Sequence, residues 1–262
     1  SLTSLSFAQK NPKAILAGNN IFLSFQVEEY PNENLYFQLM DLNLNTIGNA
    51  TALSDPNTTK HGFEMVKGND GYIYYAYSED TYIAIQKLSS DGDNIWTQQV
   101  VESAADDIIQ AVYSHPESGC VIIYESKSWQ TGSHLYALGV DGDGQIQDGW
   151  PVILSNLSGD QYYEHSVKTA EGIFISFKDN TAGNYDIYGQ YLAFSGGLNF
   201  GDSGIVIEND ENSQEASSSA YNPEGSESKV LVCYETFDGS FKDINCKEIN
   251  LADQLISDTI II

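Results

Sequence analysis

The strongest constraint on this chain is an internal repeat. Five short apolar runs at 21–25, 72–77, 120–124, 173–177 and 230–234 close on Phe25, Tyr77, Tyr124, Phe177 and Tyr234, at a step of roughly fifty residues. A glycine opens most of them: Gly18, Gly71, Gly119 and Gly172, with Gly225 further back in the last. A second strand-like run follows each, at 37–42, 83–88, 135–140, 187–192 and 244–249. After a turn comes a third, at 51–53, 96–100, 150–154, 204–207 and 259–262. A shorter segment precedes each first run, at 14–16, 63–66, 110–113, 165–167 and 217–221. Each repeat therefore holds four short strands, and no stretch sustains a 3.6-residue apolar period. Four antiparallel strands per repeat, each repeat needing neighbours to cover its apolar faces, predict an all-β β-propeller. The expected blades are 13–60, 61–109, 110–161, 162–214 and 215–262 of a single domain spanning 1–262. Five repeats close a five-bladed ring or form part of a larger one. The apolar run at 259–262 suggests a piece of a longer protein.

Segment 178–207 carries Asp179, Gly183, Asp186, Ile187, Tyr188, Gln190, Leu192 and Gly196 or Gly197. In that spacing it resembles the repeat of secreted bacterial β-propeller proteins whose blades read D-x-x-x-G-x-x-D-I-Y-x-Q-x-L. Segment 86–101 resembles the strand, turn, D-G and Trp element of such blades. Phe177 stands where a tryptophan often precedes the aspartate in that pattern, and Asn180 where an arginine often follows it. The resemblance implies a secreted or cell-surface location and a binding or structural role without catalytic residues.

Charge excludes one class of function. The chain has 37 Asp plus Glu against 11 basic residues, all lysine, and a formal charge of −26. Nucleic acid is held through phosphates neutralised by Lys and Arg, so a chain this anionic repels it. No run approaches the roughly 18 apolar residues of a membrane helix, so no membrane insertion is expected. The lack of arginine also removes a sialidase-type reading, in which arginines hold the substrate carboxylate.

Local motifs read mainly as turns. The turn 89–96 half resembles the Asp-box of sialidase-type propellers, with Asp93 where glycine is expected; in such turns an aspartate caps the backbone and the tryptophan, here Trp96, packs in the core. Asp91, Asp93, Asp141 and Asp143 place two carboxylates on each of two turns, the donors a hard cation takes; no cofactor is expected beyond weak calcium binding there. His61, His115, His134 and His165 show no metal spacing. Cys233 and Cys246 flank a hairpin. If Gly239 and Ser240 form its turn, the two thiols fall opposite each other and can form a disulfide; if Asp238 and Gly239 do, the register slips and they part. Cys120, opening an apolar run, reads as a small core residue.

In a propeller the loops from second to third strands and from each blade to the next share one rim. Here those loops carry acids, among them Glu79, Asp80 and Asp160, interleaved with Tyr30, Trp129, Tyr162, Tyr163 and Tyr185. Aromatic faces beside acceptors suit sugars or basic peptides. These residues, Trp129 foremost, are the expected ligand-binding set. The leading expectation is thus a non-catalytic extracellular module that binds protein or glycan at this rim, or a subunit of a larger surface assembly. The alternative is a glycan-processing propeller enzyme that uses paired carboxylates.

Overall fold

The computed structural model describes residues 7–29, 32–54, 60–79, 82–102, 106–128, 130–223 and 228–261. Among them there are strands and no helix. Strands β1 (Gln9–Ala17), β2 (Asn20–Glu29), β3 (Asn32–Asp41) and β4 (Thr46–Ala52) form the first sheet, in chain order. The second holds β5 (Lys60–Lys67), β6 (Ile73–Glu79), β7 (Tyr82–Leu88) and β8 (Asn94–Glu102). The third holds β9 (Asp106–Ser114), β10 (Cys120–Ser128), β11 (Gly132–Val140) and the short β12 (Val152–Ile153). The fourth holds β13 (Gln161–Lys168), β14 (Gly172–Asp179), β15 (Asp186–Ala193) and β16 (Ile205–Glu208). The fifth holds β17 (Ser213–Asn222), β18 (Lys229–Phe237), β19 (Lys242–Asn250) and β20 (Ile260–Ile261). Each is a four-stranded antiparallel meander of the kind expected for a blade. Contacts gather into two compact units, Ser1–Tyr124 with Leu138–Asp148, and Glu125–Ala137 with Gly149–Ile262.

The first strand of each sheet is longer than its apolar pattern predicts, because backbone pairing continues past the apolar residues into polar ones. The middle strands have continuous apolar runs for a simple reason: β6 is buried at every residue, and β10 and β14 over their first six. A strand covered on both faces has no reason to alternate. Strand β18 does alternate, leaving Leu231 and Phe237 exposed on one face.

In the first unit, Phe22 stacks on Phe37 at 4.5 Å and Phe63 on Tyr75 at 5.5 Å, within a core that includes Leu35, Leu53 and Tyr77. In the second, Phe174, Ile187, Ile207, Val230, Val232 and Tyr234 make the corresponding core. The opening glycines are required by backbone: Gly119 has φ +89°, and a Cβ there would meet the Val140 carbonyl oxygen at 2.0 Å.

The glutamine of the repeat pattern joins blades. Gln86 and Gln190 occupy one register place, opposite Tyr75 and Ile175, and Lys247 occupies it opposite Val232. Gln86 donates to the carbonyl of Leu53, Gln190 to that of Leu154 (3.0 Å) and Lys247 to that of Ile207 (2.6 Å). Each acceptor lies at or just past the fourth strand of the preceding sheet. A side chain from the third strand thus satisfies a buried carbonyl that no ladder reaches.

Four first strands carry an irregularity near their start, between Lys10 and Lys13, Lys60 and Gly62, Tyr163 and His165, and Glu215 and Ser218. Asn11 and Ala216 adopt φ of 50° and 54° within two of them. An extra residue turns its side chain out of the strand's alternation, and that is what builds the site described next.

Candidate functional site

The second unit gathers charged and aromatic side chains at the upper ends of β13, β14 and β17. Glu164 is the extra residue between Tyr163 and His165. Its carboxylate accepts the Ser217 backbone N–H (3.0 Å) and pairs with the Lys178 ammonium (3.2 Å). Lys178, on β14, also lies 3.8 Å from Glu215, which borders the β17 irregularity. Glu215 pairs in turn with Lys242 at 3.1 Å, and Lys242 with Glu235. Exposure rises along this chain of charges: the Glu164 side chain is 10% exposed, Lys178 21% and Glu215 39%. Both glutamates approach one nitrogen, so their facing oxygens lie no more than about 7 Å apart, which does not exceed the reach of paired glycosidase carboxylates.

Two tyrosines flank this pair. The Lys178 ammonium sits 5.0 Å from the Tyr185 ring centre and 5.8 Å from that of Tyr162, and the rings meet edge to face at 5.9 Å. Burial, and then the nearby Asp160, hold the Tyr162 phenol above its ordinary range. Below them lies a knot of buried hydroxyls: Ser217 bonds Ser176 (2.9 Å), and Ser176 lies 3.2 Å from Ser219. His165 Nδ1 accepts the Ser219 backbone N–H (3.1 Å), and burial lowers the imidazole's pKa. With one ring nitrogen accepting a backbone donor of β17, this histidine ties β13 to β17.

Glu125, within β10, is a further buried acid of the second unit. It accepts the Ser133 hydroxyl (3.0 Å) and the Lys127 ammonium (3.1 Å), and its other oxygen faces the Tyr163 N–H at 3.4 Å. Glu125, Lys178 and Glu235 all directly follow the closing aromatic of their repeats, as do Gln26 and Ser78. All five are polar, a signal in the sequence that marks this position; Glu164 and Glu215, displaced by irregular pairing, carry no such mark.

The expected ligand-binding residues divide. Tyr162 and Tyr185 come together around Lys178. Asp160 stands beside them but is engaged in structure, accepting the Ser133 N–H at 2.9 Å. Tyr163 points elsewhere, its hydroxyl 2.7 Å from that of Ser166. Glu79, expected as a rim acid, is instead 3% exposed and lies 3.1 Å from the fully buried Lys60, its register partner at the start of β5. Tyr30, Asp80 and Trp129 lie outside the described residues.

The turn acids are also placed. In the 89–96 turn the cap is the Ser89 hydroxyl, which accepts the N–H groups of Asp91 and Asp93, while Asp91 accepts the Asn20 amide. Trp96 is half-buried rather than in the core, because its indole N–H reaches the Gly142 carbonyl at 3.1 Å. Asp141 accepts the N–H groups of Asp143 and Gln145, closing its own turn. Among the described residues no three His, Cys, Asp or Glu side chains are grouped to hold a metal ion. Cys233 and Cys246 stand in direct register, 4.0 Å between Cα atoms, and are joined as a disulfide; Cys120 is free and buried.

No protein-family model matches the sequence, and no curated protein is similar to it. Solved structures are similar in three dimensions. An ulvan lyase of polysaccharide lyase family PL25 aligns with a TM-score of 0.60 and 11% identity, over 95% of this chain and 66% of that one. The fold is a β-propeller. An endo-arabinase from Bacteroides thetaiotaomicron aligns at 0.44 with 10% identity, over 95% of this chain and 96% of that one. An α-L-arabinofuranosidase from Clostridium thermocellum aligns at 0.46 with 12% identity, over 99% and 95%. The likeness to the ulvan lyase corrects the expectation of a non-catalytic module: a structure similar in fold is a polysaccharide lyase. The repeat pattern is a property of the scaffold, and a scaffold pattern is silent about chemistry held by residues that do not repeat.

Proposed function

We propose that this chain is a glycan-processing enzyme, a glycoside hydrolase whose paired carboxylates are Glu164 and Glu215. The observation that carries the reading is their convergence on Lys178 from the first strands of two adjacent blades, beside the faces of Tyr162 and Tyr185. Tyrosine faces bind the apolar side of a sugar ring, and two carboxylates flanking one bond are the groups that hydrolysis needs. Glu164, held by Lys178 and the Ser217 N–H, is placed to act as the base that activates water. Glu215, at the open end, is placed to protonate the leaving oxygen. The bond from the anomeric carbon to that oxygen breaks, the carbon takes the water's oxygen, and one water is consumed.

Elimination, the polysaccharide lyase route, begins beside a sugar carboxylate that cationic side chains must neutralise. The chain has no arginine, and Lys178 is already shared by two glutamates. Charge therefore favours hydrolysis of uncharged sugars. A polymeric substrate and the Cys233–Cys246 bridge support an extracellular location, consistent with the resemblance to secreted bacterial propeller repeats.

The test is release of reducing ends from soluble arabinan, galactan and xylan. Both E164Q and E215Q should lower the rate by about 10²–10⁴-fold with the melting temperature held. Parent-like rates in both variants, or no release from any of the three by the parent, would refute the assignment.

A further inference from the structure

Two blades treat the same position in opposite ways. In the second sheet Glu79, at the end of β6, is register partner to Lys60 on β5 and Tyr82 on β7, and the buried Lys60 ammonium neutralises it at 3.1 Å. In the fourth sheet the matching acid is Asp179, register partner to Gln161 on β13 and to a second acid, Asp186, on β15. Gln161 offers no charge, and its amide is engaged with the carbonyls of Ser155 and Leu157 and the N–H of Leu135. Asp179 and Asp186 are 1% and 3% exposed. Directly opposed residues on antiparallel strands hold their Cβ atoms about 5 Å apart, so two ionised carboxylates here would repel across a dry gap.

Their hydrogen bonds point the same way. Asp179 Oδ1 accepts the Thr181 N–H (2.7 Å), and Asp186 Oδ1 accepts the Asn184 amide (3.1 Å). Asp179 Oδ2 is buried with no partner. Among the described residues no ion pair joins a cation to either acid. From the β16 side come Glu208, already engaged by Lys247 and Tyr234, and Asp210 in the following loop; from β15 comes Tyr188. Asp160 precedes β13, and Lys178 on β14 is committed to Glu164 and Glu215. A divalent ion would need a third protein donor, and no group of three is arranged for one among the described residues.

We propose that Asp179 and Asp186 hold one proton between them in the folded protein, and that its release as the pH rises loosens the β14–β15 hairpin that carries Tyr185. The proton turns an unpaired acceptor into one half of a carboxyl–carboxylate hydrogen bond, in the manner of two acids that cannot both ionise. Burial first, and then Asp179, raise the Asp186 pKa above the ordinary aspartate value, which agrees with the geometry. A raised folded pKa gives stability that is whole below the unfolded value of about 4 and is lost as pH climbs through the folded one. The hairpin is tied to β17 by the Gln214 N–H donating to the Tyr185 carbonyl at 2.7 Å, a bond that reports its closure.

The experiment compares the parent protein with Asp186→Asn and Asp179→Asn between pH 4 and 8, in EDTA and in calcium chloride. Each substitution keeps the size and an acceptor oxygen while removing one titration. In EDTA the parent should melt near the variants at pH 4 and fall below them as pH rises, by about 3–5 °C for each pKa unit of the shift. Its Gln214 amide should lose protection over the same range relative to the variants. Carbon-13 carboxyl shifts of the parent should show one of the two acids titrating above the normal aspartate range, a readout that survives if a variant does not fold. Equal melting of parent and variants at every pH would overturn the proposal. So would a parent that calcium stabilises at pH 8 while the variants do not respond, since the pair would then hold a metal ion.

Discussion

Replacing Gln190 tests how the blades are joined. The side chain is fully buried and uses its whole hydrogen-bonding capacity: Nε2 donates to the carbonyls of Leu154 (3.0 Å) and Gly201 (2.8 Å), and Oε1 accepts the N–H groups of Tyr191 (3.0 Å) and Phe200 (3.2 Å). Gln190→Met keeps the length and removes every bond. Stranding a buried backbone donor or acceptor costs about 1–3 kcal/mol each. Leu154 and Phe200 are 0% and 5% exposed, so water does not replace the lost partner without rearrangement. Two stranded groups with partial relaxation predict a loss of about 3–4 kcal/mol. Gln190→Glu separates the two halves of the amide. It keeps both acceptor roles but turns a carboxyl oxygen toward the Leu154 and Gly201 carbonyls, so the group must stay protonated there. Its folded pKa is thereby raised, and its penalty should grow as pH rises from 4 to 8. Urea denaturation of the parent and both variants, with hydrogen exchange at the Phe200 amide, measures these effects. A loss under about 1 kcal/mol for Gln190→Met, with Phe200 protection intact, would refute the clamp.

Two further predictions concern other parts of the fold. Asp70 is partly buried, which by itself raises its pKa, but the Tyr74 hydroxyl at 2.7 Å and the Lys87 ammonium at 2.9 Å outweigh burial and hold it below the ordinary value. Its contribution is present above about pH 4 and lost as pH falls, so Asp70→Asn should destabilise by about 1–2 kcal/mol at pH 7 and much less at pH 3, read by thermal melts at both. Gly119→Ala should cost more than Gly48→Ala by at least about 1 kcal/mol in urea titrations, because Gly119 also abuts the Val140 carbonyl whereas a Cβ at Gly48, also at positive φ, meets nothing within 4 Å.

Local spacing was enough to read the scaffold. The closing aromatics, the glycines before them and the unalternating apolar runs are consequences of strands buried on both faces, and such burial writes itself along the chain. The Cys233–Cys246 register was legible too, as one of two alternatives that differ by a single residue in the turn. The site was not. Tyr162 and Tyr185 could be picked out as rim aromatics, but nothing local separates Glu164 from the other acids, and Glu79 read as a rim acid because the fully buried lysine that pairs with it starts the preceding strand, far away in the chain. Asp179 and Asp186 were legible only as places of the repeat pattern; their opposition across β14 and β15 is what makes them an acid pair.

The amino-acid order by itself determined the repeat length, the strand count per repeat and which residues close each strand, since these depend on neighbours a few positions apart. Tertiary structure alone decided which charges meet. One extra residue in β13 aims Glu164 toward Lys178, and a similar irregularity in β17 lies beside Glu215. A displacement of one residue reverses the face on which a side chain lies. That choice is made by packing between blades, which leaves no periodic trace in the chain.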